Sequence, residues 1–170
     1  PLGVLNPGDV SLVPDPCYPV YRTFSWFSGA ETHAMPLVAE NNFLPDLRSI
    51  PPETLRRAKL MWLNYPNNPT GATATPEFFA EAIALAHEHG FLLAHDAPYM
   101  EIAFDGYRPP SILQFPNAKE VCIEFNSLSK TYNMAGWRMG LACGNPEAIM
   151  ALATLKTNVD AGSFQPILDA

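Results

Sequence analysis

A three-layer α/β/α sandwich around a mostly parallel sheet is the fold the sequence predicts, and three observations predict it. Short apolar runs recur along the chain: VSLV at 10–13, MWLNY at 61–65, FLLAHD at 91–96 and VCIEFNS at 121–127. Helical stretches separate them and are long enough to cross over between parallel neighbours. The runs are nearly continuous rather than alternating with polar residues, so they read as strands covered on both faces.

The elements follow in order. Val10 to Val13 form a strand closed by PDPCYP. Residues 20–28 form a short helix ending at Gly29, and THAMPL (32–37) is a second strand. LRSIPPETLRRAK (47–59) reads as a short helix with proline at its start, where a missing N–H costs nothing. MWLNY is a strand stopped by PNNPTG. Thr75, Pro76 and Glu77 open a helix that runs through His89, with Ala, Phe and Ile on a repeating face and Gly90 as its cap. FLLAHD, VCIEFNS and RMGLACG (138–144) are further strands, and PEAIMALATLKTN (146–158) is a last helix. The 18 prolines gather at strand ends, where they stiffen loops.

Composition narrows the function. With 48% apolar and 16% charged residues in 170, the chain has material for one large core. A formal charge of -7 argues against a general partner role with nucleic acid or acidic membranes. No run approaches the roughly 18 apolar residues of a membrane span. Cys17, Cys122 and Cys143 lack metal-ligand spacing and read as reduced, buried thiols, a usage that points to the cytoplasm. The chain starts at PLGVLNPGD without Met and stops at GSFQPILDA, so a fragment is expected.

Ligands of such sheets sit outside the C-terminal ends of the parallel strands. Three such ends carry polar or conformationally special residues: NNPTG after MWLNY, Asp96 and Tyr99 after FLLA, and NSLSK after VCIEF. A carboxylate after a buried strand must be paired or hydrogen-bonded. Asp96 either braces the loop before Pro98 or faces a cation, a metal or a protonated ring nitrogen. His95 is a poor metal partner for it, because adjacent strand residues point to opposite faces. Lys130 lies just beyond an apolar strand in a serine-rich turn. It is either an ordinary solvated lysine or one desolvated at the sheet edge, where the neutral amine becomes a nucleophile toward aldehydes. Ser127, Ser129 and Arg138 either cap and pair locally or hold an anion such as phosphate. A lysine near phosphate donors, with an acid on a neighbouring strand, is what a phosphorylated pyridine aldehyde requires. The chemistry therefore points to pyridoxal 5'-phosphate (PLP).

The segments YPNNPTGA, AHDAPYMEI and SLSKTYNMAGWRMG, with DPCYPVY near the start, resemble the fold-type I PLP enzymes, specifically the class I/II aminotransferases. FLPDL and TNVDAGSFQPI look most like the branch holding LL-diaminopimelate, aspartate and alanine aminotransferases. The resemblance implies that Lys130 is the lysine linked covalently to PLP, which later carries the substrate's α-proton. It implies that Asp96 keeps the pyridine nitrogen protonated. Tyr99 and Asn68 would bond the ring's 3'-oxygen, which lowers the pH at which the lysine linkage loses its proton. Ser127 and Arg138 would hold the phosphate, and Tyr18 would stack over the ring. Asn133, Met134 and Trp137 would pack the loop that orients Lys130, with Gly136 and Gly140 allowing close backbone approach.

The resemblance further implies that residues 1–170 are the central part of the large PLP-binding domain. A phosphate-binding N-terminal segment and a small domain with the substrate's carboxylate clamp would lie outside. The full-length protein would be a homodimer acting on an amino acid and a 2-oxo acid, and the isolated piece would be close to inactive. Two alternatives use the same residues: a PLP-dependent carbon–sulfur lyase, and a PLP-binding regulatory domain of a transcription factor.

Overall fold

The computed structural model describes residues 1–159. Six strands, β1 (Val10–Asp15), β2 (Glu31–Pro36), β3 (Ala58–Asn64), β4 (Leu92–Asp96), β5 (Cys122–Ser127) and β6 (Gly140–Gly144), form one sheet in the order β2-β1-β3-β4-β5-β6. All neighbours are parallel except β5 and β6, which run antiparallel with Ser127 opposite Gly140. The helices are α1 (Val20–Phe27), α2 (Pro52–Arg57), α3 (Pro76–His89), α4 (Ala118–Val121), α5 (Leu128–Thr131) and α6 (Pro146–Asn158).

Apolar residues on both faces of β3 explain the three layers. Met61 and Leu63 join Leu55 of α2 and Phe78, Phe79, Ala82 and Ile83 of α3 on one side. Leu60 and Trp62 join Tyr21 of α1 and Ala148 of α6 on the other. Each fully buried side chain of this size contributes about 1.5–3 kcal/mol. The sandwich predicted from the sequence is thus present.

Several boundaries differ for local reasons. The helix expected over 47–59 is broken, because the two prolines 51 and 52 force the residue before each into an extended conformation. Leu47–Ser49 is a single 3-10 turn, α2 starts at Pro52, and Ala58 and Lys59 already belong to β3. Val121 ends α4 rather than opening β5. Arg138 precedes β6 in the left-handed region, with φ 55°. Thr75 caps α3 through its hydroxyl, which accepts from the Phe78 N–H at 3.2 Å, and Asn145 caps α6 through its Oδ1, which accepts from the Ala148 N–H at 2.9 Å. Of the three thiols expected to be buried, Cys122 is buried, Cys17 is half-buried and Cys143 is exposed at the sheet edge. The segment TNVDAGSFQPI lies outside the described residues beyond Val159. No helix among them is long and apolar enough to cross a membrane.

Candidate active site at the strand ends

Register brings three chemistry-bearing ends together. Asn64 at the end of β3 pairs with Asp96 at the end of β4, and Asp96 with Phe125 of β5, two residues before Ser127. The buried Asn64 side chain then ties two of these ends to each other. Its Nδ2 donates to the Asp96 carbonyl at 2.7 Å, and its Oδ1 accepts from the Asn68 N–H at 2.7 Å. The turn beyond is closed by Asn67, whose Oδ1 accepts from the Thr70 N–H and hydroxyl at 3.1 and 2.8 Å. Gly71 supplies the positive φ of 73° that completes it.

Asp96 and His95 point to opposite sides of the sheet, as their adjacency requires. His95 packs edge-on against Phe79 of α3, at 5.0 Å between ring centroids. Asp96 faces α1, where the Tyr21 hydroxyl donates to its Oδ2 at 2.5 Å. Tyr21 in turn stacks on Trp62, at 4.6 Å and 12° between rings. Burial pushes the Asp96 carboxyl above the ordinary carboxylate range, and the Tyr21 bond and the charges of His95 and Lys130 oppose that rise. Burial and the Asp96 charge push the Tyr99 phenol up as well, while a side-chain hydrogen bond with Asn68 acts the other way.

The predicted residues thus divide into those the structure links and those it leaves at the periphery. Asn68 and Asp96 both act electrostatically on Tyr99, and Asp96 feels Lys130. Tyr18 lies edge-on to Tyr21 at 6.1 Å and is 48% exposed. Ser127 caps α5, accepting from the Ser129 N–H at 3.2 Å. Lys130 therefore stands on a one-turn helix rather than in an open turn. Its side chain is exposed, so the desolvation expected of it is not supplied by the described residues. Arg138 is also exposed, and its guanidinium donates to the Ala135 carbonyl at 3.0 Å. It lies beside Ser127 because the Leu128 N–H bonds the Met139 carbonyl at 3.2 Å.

The loop reading needs correction at three positions. Asn133 and Trp137 are exposed, so they do not pack the loop around Lys130 among these residues. A Cβ at Gly136 would meet nothing within 4 Å. Gly140 does serve close approach: a Cβ there would lie 2.9 Å from the Asn126 carbonyl.

Tyr21, Asn64 and Glu124 escaped the sequence reading. Tyr21 had a usable signal, since a carboxylate at a buried strand end needs a donor and DPCYPVY supplies a second tyrosine one helical turn after Tyr18. Tyr21→Phe is expected to cost about 1.5–3 kcal/mol at neutral pH, the range for a bond to a charged group. Urea unfolding measures it, and the cost should shrink as the pH falls and Asp96 takes up its proton. An equal cost at every pH would show that the phenol does not serve the ionised carboxylate.

The donor set suits a phosphorylated pyridine aldehyde. A half-buried carboxylate keeps Oδ1 for a ring N–H while Tyr21 occupies Oδ2. Across from it stand an amide and a phenol for a ring oxygen, and an amine for the aldehyde.

Comparison with known proteins agrees. The family model described as "Aminotransferase class I and II" matches residues 2–166. An LL-diaminopimelate aminotransferase 2 of Trichormus variabilis is 58% identical over 99% of this chain and 43% of its own length. An LL-diaminopimelate aminotransferase of Desulforudis audaxviator is 60% identical over 96% of this chain and 42% of its own. The substrate-bound structure of BacF from Bacillus subtilis superposes with a TM-score of 0.91 at 48% identity, over 96% of this chain and 41% of that one. The chain therefore spans about two fifths of the length of the curated relatives it matches.

Proposed function

The chain belongs to the class I and II aminotransferases, and from that premise we propose that the full-length protein is a PLP-dependent aminotransferase. It moves an amino group between an amino acid and a 2-oxo acid, within the LL-diaminopimelate, aspartate or alanine type. One observation carries the reading: Asn68, Asp96, Tyr99 and Lys130 come together at the ends of three adjacent strands.

When bound, PLP supplies an electron-accepting ring that makes the α-proton of an attached amino acid acidic. This chain's residues do the rest. Asp96, braced by Tyr21, holds a proton on the ring nitrogen. Tyr99 and Asn68 hold the ring oxygen, and Ser127 and Arg138 hold the phosphate. Tyr18 would cover one ring face and keep water from it. Lys130 would hold the cofactor through its aldehyde carbon, and its Nζ would take the proton from the substrate's α carbon.

Names of relatives support LL-diaminopimelate as the first donor to test. The reading also places the protein in the cytoplasm as a homodimer, with Trp26 and Phe27, 58% and 70% exposed on α1, among the surfaces available for cover. The deciding experiment incubates the full-length protein and PLP with LL-diaminopimelate, aspartate or alanine, with and without 2-oxoglutarate. Glutamate should form only when donor and acceptor are both present. In a parallel incubation with cysteine and no acceptor, release of pyruvate and ammonia would replace this reading with a lyase.

A further inference from the structure

A buried carboxylate on the α3 side of the sheet serves none of the steps above. Glu124 of β5 lies directly opposite His95 of β4, and they are 4% and 0% exposed. His95 Nδ1 lies 3.0 Å from Glu124 Oε2, and its Nε2 lies 3.1 Å from the Tyr65 carbonyl. The imidazole thus has an oxygen facing each of its two nitrogens.

Glu124 collects more than this one partner. The Ser111 hydroxyl reaches its two oxygens at 2.9 and 3.0 Å, the Ile112 N–H donates at 2.9 Å, and Asn126 Nδ2 donates at 3.2 Å. Burial pushes the Glu124 carboxyl up, yet His95, Ile112 and Ser111 together bring it below its ordinary value. It is therefore held as a carboxylate, which makes each of these bonds charge-assisted.

These bonds fasten one segment in particular. The chain leaves β4 after Asp96, where the Ala97 N–H bonds the Phe125 carbonyl at 2.8 Å. It returns at Ser111 and Ile112, on Glu124. Between those points it carries Tyr99 and then Ile102, Phe104 and Tyr107, which form one wall of a cleft of about 500 Å3. Asn67, Asn68 and Pro69 form the facing wall. The middle of the segment is exposed, Phe104 by 83%, and besides its two fastened ends it is held by the Tyr107 hydroxyl, which donates to the Ala74 carbonyl at 3.5 Å.

We propose that Glu124 is a positioning residue for the site. It clamps the return of the 97–111 segment to β4 and β5, and thereby holds Tyr99 and the cleft wall in place against the Asn68 turn. The inference rests on the reading of Tyr99 as a ligand of the PLP ring oxygen.

The experiment titrates the visible absorbance of the full-length protein with PLP bound, and follows hydrogen exchange of amides 99–110 without it. Tyr99→Phe removes a donor to the ring oxygen and should raise the pH midpoint of the visible band. Glu124→Gln should raise it in the same direction by less, and should speed exchange of those amides about tenfold. Should Glu124→Gln fail to fold, Ser111→Ala leaves the His95 contact intact, and the same shifts are expected in smaller measure. The inference is overturned if the Glu124 or Ser111 variant folds with midpoint and exchange unchanged while Tyr99→Phe moves the midpoint. A wild-type protein in which PLP raises no visible band overturns the cofactor reading itself and takes this inference with it.

Discussion

Lys130→Ala in the full-length protein is expected to lower amino transfer by about ten-thousandfold. The reason is that one side chain performs two duties. On the proposed reading its amine makes the covalent link to the aldehyde carbon, and the same Nζ moves the substrate's α-proton. Alanine keeps the helix, since Lys130 lies in the last turn of α5 with its side chain exposed, so stability should change little. The link has its own readout. Borohydride should fix PLP to the wild-type protein, detected as added mass on the peptide containing residue 130, and should fix none there in the variant. Persistence of the visible band in Lys130→Ala would move the covalent role to another lysine.

Asp96→Asn is expected to separate stability from function. In the cofactor-free protein the Asp96 carboxyl is raised, first by burial, so its ionised form is a cost to folding. A group raised on folding contributes stability that is fully present below the ordinary carboxylate range and is lost as the pH rises through its folded value. Asparagine removes that loss while keeping an acceptor for Tyr21. Without PLP, the variant should therefore be as stable as wild type near pH 4 and more stable at pH 8, by about 1 kcal/mol. With PLP it should bind the cofactor more weakly and turn over about a hundredfold to ten-thousandfold more slowly. Urea melts at both pH values and a PLP titration check the two halves separately. A variant less stable than wild type at pH 8 would mean that Asp96 is a structural brace, the bland role a carboxylate before Pro98 could fill.

These two residues were legible because Asp96 ends an apolar strand and Lys130 follows just beyond another, where a polar group is conspicuous and a parallel sheet collects ligands. Asn68 was legible because NNPTG stops a strand with residues that turns demand. Tyr21 was hidden by its own periodicity: on an amphipathic helix a tyrosine facing a carboxylate and one facing only the core occupy the same positions. Glu124 was hidden differently. Its partners sit on another strand and on an irregular segment, and neither His95 nor Ser111 stands at any fixed sequence offset from it. The one-turn α5 was read as an open turn because it is too short to show a helical period, and its start is set by the single Ser127 cap. The exposure of Lys130 and Arg138 could not be read either, since burial at a sheet edge depends on what covers it.

The reversal of β6 has a geometric consequence for Lys130 and Arg138. A parallel crossover would have delivered the residue before β6 to the opposite end of the sheet, a strand's length from the amine. By running antiparallel, β6 makes the chain from Leu128 to Met139 a tether with both feet on one rim, pinned where Ser127 meets Gly140. The spacing between Lys130 and Arg138, the proposed covalent anchor and phosphate clamp, is then set by the tether's own length and is independent of the depth of the sheet. Adding or deleting a residue between Thr131 and Trp137 would retune that spacing and leave every strand in register.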